Sequence, residues 1–175
     1  MSTGTSTKRY ETPNHPYQGE RIDEESDLVS RYGLKNKEEL WRAQSELRRY
    51  RREARSLIGE AQGDVEAANE AGADFVARLK RLGVLDDADA ITDVLSLDVT
   101  DVLERRLQTV AYRNGVGNST KQARQFILHG HVVVGDARVT RPSYKVETAE
   151  EDLVDFDEIS PLADELHPER AEGQE

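Results

Sequence analysis

Arginine is the residue through which this chain could do chemistry, and that chemistry is the binding of phosphate. Residues 102–146 hold eight Lys or Arg against two acids, and residues 41–59 hold six Arg against two Glu. In the first stretch Arg105, Arg106 and Arg113 are followed by Lys121 and Arg124, then by Arg141 and Lys145. A guanidinium offers a planar fork of donors that matches a phosphate. The polar residues interleaved here, Ser119, Gln122, Gln125, Ser143 and Tyr144, supply the kind of side chain that reaches phosphate and sugar oxygens. In the second stretch Arg48, Arg52 and Arg55 recur at helical spacing on one side with Trp41, and Arg51 flanks them. Lys8 and Arg9 add a third basic point near the N-terminus. His129 and His131 would share a face on a strand, but no third ligand stands at a suitable spacing, so they are read as structural or base-stacking. His15, alone between Pro13 and Pro16, is read as a surface or packing residue.

Other chemistries lack their residues. There is no nucleophile elbow, phosphate-binding glycine loop or dinucleotide-binding glycine pattern. There are no cysteines, hence no disulfide and no thiolate metal site. No cofactor, catalytic residue, metal or small-molecule substrate is expected. No apolar run approaches the ~20 residues of a membrane span, and the N-terminus lacks the apolar core of a secretory signal.

The elements that must position the arginines follow from periodicity. Thr100 is a plausible N-cap for a helix reaching about Arg113, with Leu103, Leu107, Val110 and Ala111 on its apolar side. Arg105, Thr109, Tyr112 and Arg113 fall on the other side, with Arg106 at the flank. Ser119 opens a second helix, with Gln122 at capping-box spacing, an apolar side of Ala123, Phe126 and Ile127, and a stop at Gly130. Its N-terminal amides suit a phosphate. Val132 to Val134 reads as a strand, Gly135-Asp136 as a turn, Ala137 to Thr140 as the partner strand, and Tyr144 to Val146 as an edge segment. Upstream, helices are predicted over Ile22–Tyr32, from the cap Asn36 to about Ile58, over Val65–Leu82 and over Ala88–Leu95. The fold class is therefore α+β. An N-terminal arm (1–35) leads to a helical domain (36–101). An RNA-binding module of two helices and a short antiparallel sheet (102–160) and an acidic, disordered tail (161–175) follow. Residues 1–7 are also read as disordered.

At this point a family is visible in the residues. Leu103-Glu-Arg-Arg-Leu-Gln-Thr, Ala123-Arg-Gln, His129-Gly-His-Val-Val-Val and Arg141-Pro-Ser-Tyr-Lys-Val resemble the RNA-binding domain of small-subunit ribosomal protein four, the alpha-L motif. Tyr10-Glu-Thr-Pro-Asn-His-Pro-Tyr, Tyr32-Gly-Leu-Lys-Asn-Lys-Glu-Glu-Leu-Trp and Leu47-Arg-Arg-Tyr-Arg-Arg-Glu-Ala-Arg-Ser-Leu are similar to the archaeal and eukaryotic branch of that family. The resemblance implies a structural component of the small ribosomal subunit that binds the 5′ domain of its rRNA early in assembly. It implies a place beside ribosomal protein five, near the mRNA entry path, with a part in translational accuracy, in the cytoplasm. Some relatives carry an N-terminal zinc knuckle, which a chain without cysteine cannot form.

The net charge of −11 at first argues against nucleic acid, but its distribution removes most of the objection. Residues 147–175 hold 12 Asp or Glu against Arg170 alone, so the preceding 146 residues are neutral in sum. Basic and acidic surfaces are thus segregated. Arginine outnumbers lysine 18 to 6 in this acid-rich background, a halophilic pattern that the resemblance turns into a halophilic archaeon. In molar salt the Debye length shrinks to about 3 Å, so binding leans on directed hydrogen bonds and shape. Two rival readings are a stand-alone RNA-binding factor, which would need only the module, and an acidic protein-binding adaptor. An enzyme carrying the module would need a further domain of roughly 150 residues.

Overall fold

The computed structural model describes residues 8–171. The expectation for residues 1–7, and the last residues of the expected tail, lie outside that range.

Two apolar cores meet at a polar seam. The first takes its side chains from Tyr32 to Leu103 and the second from Leu107 to Leu162. Around the first, α1 (Gly19–Arg31) packs on α2 (Lys37–Glu60), followed by α3 (Val65–Ala71), α4 (Ala73–Arg81) and α5 (Val99–Glu104). Asn36 caps α2 by accepting the Glu39 amide, and Leu40, Ala43, Leu47, Tyr50 and Ala54 form its buried stripe. Because α1 packs on α2, and Tyr32 and Leu34 lie in this core, residues 19–35 belong to the helical domain rather than to an arm.

Three helical expectations change. The helix read as Val65–Leu82 bends at Gly72, where a Cβ would stand 2.7 Å from the Ile91 Cδ1 atom. The stretch 88–95 forms only a single 3-10 turn, Asp93–Leu95. Side chains take the Ala90 and Ile91 amides instead, from Asp93 and Asn69, and just upstream the Asp86 amide bonds the Asp89 carboxylate. The helix expected from Thr100 starts earlier, because the Asp101 carboxylate accepts the amide of the N-cap Asp98. It also breaks at Arg105-Arg106, where the Tyr144–Val146 segment intervenes. Leu107 N–H donates to the Tyr144 carbonyl (2.8 Å), and Val146 N–H donates to the Arg105 carbonyl (2.9 Å). Tyr144–Val146 therefore pairs with the helix break and does not edge the sheet.

Beyond the break, α6 (Leu107–Arg113) and α7 (Thr120–Leu128) pack together over the second core. The sheet is antiparallel with order β2-β1-β3, built from β1 (Val132–Val134), β2 (Ala137–Arg138) and β3 (Val154–Phe156). β2 is shorter than the expected Ala137–Thr140. The chain after Ser160 departs from the expected disorder. Leu162 is only 5% exposed within the second core, the Arg170 guanidinium lies 4.9 Å from the Phe156 ring centroid, and Pro168–Ala171 forms a short helix, α8. An apolar Leu and a cation over an aromatic face are enough to seat a segment that composition alone makes look solvated.

Candidate nucleic-acid interface

Ser119 accepts the Gln122 amide at 3.1 Å, and the Gln122 side chain reaches back to the Asn118 amide at 2.6 Å. The Thr120 and Lys121 amides make no hydrogen bond among the described residues, so the first turn of α7 presents free donors at its positive end. Lys121 and Gln125 are exposed on this helix. The C-terminal end of α1 abuts the same turn. The Gln108 amide bridges the Gly33 and Thr120 carbonyls at 2.7 and 2.9 Å, and the Thr120 hydroxyl reaches the Arg31 carbonyl. Gly33 has φ +58°, and a Cβ there would come within 2.6 Å of the Thr120 hydroxyl, so only glycine allows the approach.

This junction brings a residue that the sequence reading missed. Arg31 is exposed, its guanidinium stacks 5.6 Å from the Tyr32 ring centroid, and it stands at the end of α1 beside Thr120. Arg113, also exposed, pairs with Glu104, which accepts the Tyr32 hydroxyl at 2.7 Å. Burial, together with the hydrogen bond to Glu104, pushes the Tyr32 phenol up to about 12, so it stays a neutral donor at any physiological pH. Only long-range packing reveals Arg31, because an arginine at the end of an acidic helix reads locally as a C-terminal charge.

A second basic surface runs along α2. Arg48, Arg52 and Arg55 are exposed, and Arg42 and Arg49, which the sequence reading left out, are exposed beside them. Arg52 and Arg55 make no ion pair among the described residues, whereas Arg48 is engaged by Glu11 at 3.2 Å. Lys8, Arg9, Arg141, Ser143 and His129 are also exposed. His129 stacks on His131, and His131 Nδ1 lies 2.9 Å from the Ser160 hydroxyl. Among the described residues no three His, Asp or Glu gather where a metal could be held.

Several residues assigned to RNA by type are instead committed inside the protein. Arg106 is 5% exposed and bonds the Glu39 carboxylate at 3.2 Å. Arg124 grips both oxygens of the same carboxylate at 2.9 and 3.0 Å. Burial by itself would raise the Glu39 carboxyl, but the Arg124 bonds and the Arg106 charge outweigh it and hold the pKa below the ordinary value. Lys145 donates to the Val102 carbonyl and pairs with Glu46, and burial lowers its pKa against that pairing. Arg105 spans Glu151 and the Val146 carbonyl, Arg51 donates to the Leu97 carbonyl, and the Tyr144 hydroxyl donates to Glu150. These groups build the seam and its flanks, where the sequence reading had placed RNA contacts. The cations that face outward stand at the first turn of α7 with Arg31, along the arginine row of α2, and at Lys8, Arg9 and Arg141, while Arg113, though exposed, is paired with Glu104.

Similarity to known proteins covers both halves of the chain. The S4 domain family matches residues 105–154, which begin at the helix break and end in β3. A protein named small ribosomal subunit protein uS4 from Natronomonas pharaonis is 75% identical over 174 residues, covering 99% of this chain and all of that protein. The uS4 protein of Haloarcula marismortui is 67% identical over the full length of both chains. That of Methanococcus maripaludis is 49% identical over 166 residues, covering 93% of this chain and 90% of the relative.

Proposed function

The chain belongs to the uS4 family of small-ribosomal-subunit proteins, with relatives of 66–75% identity among halophilic archaea, and on that premise we propose how it holds RNA and where. It is a structural, non-enzymatic ribosomal protein with an S4 RNA-binding domain. Its rRNA ligand is the 5′ domain of the small-subunit RNA, which it binds early and so helps to nucleate assembly. Its neighbours include ribosomal protein five near the mRNA entry path, where it supports translational accuracy in the cytoplasm.

The observation that carries the RNA reading is the α6–α7 junction. Free amides, Lys121 and Arg31 stand there beside the glycine-permitted contact with α1. Phosphate meets a helix N-terminus there, and exposed guanidinium and ammonium groups supply the charge. The α2 row of Arg52 and Arg55 supplies a second backbone contact. Recognition is of phosphate and folded shape, since RNA duplex grooves offer side chains little base readout. Two double variants test this against a small-subunit rRNA transcript: Arg31→Ala with Lys121→Ala, and Arg52→Ala with Arg55→Ala. Each should weaken binding while melting stays unchanged. Each lost phosphate contact should reduce the slope of log K against log salt by roughly 0.7 to 0.9. Undiminished affinity in both variants would refute the assignment.

A further inference from the structure

The α6–α7 junction is not bare. The chain returns to it after β3 and the second core, and what it brings is negative. Leu162 is buried, and the Arg170 guanidinium stacks on Phe156 and donates to the Leu162 and Ala163 carbonyls at 3.3 and 3.2 Å. Arg170 is the sole cation after residue 146, and it is spent on this anchor. The anchor sets Glu169 against the first turn of α7. The Gln122 side-chain amide reaches both the Glu169 carboxylate and its carbonyl at 3.4 Å, and the Asn118 amide reaches the same carbonyl at 3.4 Å. Glu165 and Glu169 face Gly115 to Asn118 across a cleft of about 340 Å³. Asn118 and Gln122 are the residues that shape the free amides of the turn.

We propose that the C-terminal tail is a displaceable anionic cover for the α6–α7 turn, with Glu165 and Glu169 standing where an RNA phosphate sits in the complex. The inference rests on the RNA reading of that turn. The physical case is an asymmetry of strength. The anchor is apolar and aromatic and holds the tail close. The acidic contacts are long, amide-mediated and, among the described residues, without an ion pair, so a phosphate with a full complement of charge-assisted bonds displaces them. A carboxylate near a helix N-terminus is itself favourable, and that makes it a competitor and not a bystander. In dilute salt the cover slows unspecific binding of any polyanion. In concentrated salt its charge is screened and it no longer competes with a phosphate.

The experiment compares two full-length double variants that remove the same charge from different places. Glu165→Gln with Glu169→Gln strips the cover. Asp152→Asn with Glu158→Gln strips two acids that line a separate groove around Val133 and Arg138. Affinity for a small-subunit rRNA transcript is measured from about 0.1 to 2 M potassium chloride, a range over which screening changes several-fold. The cover variant should bind about three- to ten-fold more tightly at the low-salt end, with the gain fading as salt rises. The control should gain less than about two-fold there, the share expected of general like-charge repulsion. Equal gains in both variants would overturn the cover and leave only net charge. No gain in the cover variant, with the unaltered chain binding RNA, would overturn it too. An unaltered chain that fails to bind the transcript would refute the RNA reading itself, and the cover with it.

Discussion

Replacing Glu39 with Gln should loosen the joint between the two halves of the protein. Glu39 accepts two bonds from Arg124 and one from Arg106, and its side chain is 17% exposed against 6% for that of Arg106. The substitution keeps the size and removes the charge, leaving two guanidiniums facing each other with no carboxylate between them. Breaking a buried pair by removing one partner costs about 3–5 kcal/mol. The partial exposure of this seam lowers that to about 2–4 kcal/mol, because water screens part of the repulsion. For a chain of this size each kcal/mol shifts melting by roughly 2–4 °C, so the melting temperature should fall by roughly 5–15 °C. The pH dependence follows from the depressed Glu39 pKa. A carboxylate depressed in the folded state stabilises fully above its unfolded pKa, and that stability is lost as pH falls through the folded pKa. The gap between parent and variant should therefore be full at neutral pH and close below about pH 4. Thermal melts followed by circular dichroism in molar salt give both numbers. Arg124→Met and the double variant complete a cycle whose coupling should be about 1–3 kcal/mol. A melting temperature within about 1 °C of the parent, too small for any buried pair, or a gap that persists unchanged into acid, would refute the seam.

Two further outcomes follow from the fold and the charge pattern. Leu162→Ala should cost about 2–4 kcal/mol by urea unfolding, the range for a buried Leu, and a cost below about 0.5 kcal/mol would place the tail outside the second core. Melting should rise with potassium chloride from about 0.1 to 3 M as the acidic surface is screened, and a flat or falling series would defeat the halophilic reading of the composition.

What the sequence determined by itself was whatever depends on neighbours within one or two turns. Asn36 and Ser119 cap α2 and α7 as expected from their spacing to Glu39 and Gln122, because a cap bonds an amide three residues on. Gly33 and Gly130 end their helices with φ +58° and +77°, which local pattern foretells. The extent of α2 and the turn after β1 were legible for the same reason, and the family was legible because its quoted segments lie within continuous runs. What the tertiary structure alone decided was the fate of the arginines. Arg52 and Arg106 are alike as residue types, but Arg106 meets Glu39 across 67 positions and Arg124 meets it across 85, while Arg52 meets no acid among the described residues. The break at Arg105-Arg106 likewise depends on backbone groups near Tyr144, some 40 positions on, a distance at which helical periodicity carries no information. An ion pair or a bridging amide is set by distance in space. Residue type and spacing report that distance only along a single element, so they could supply the cations of this protein without showing which of them the fold had already neutralised.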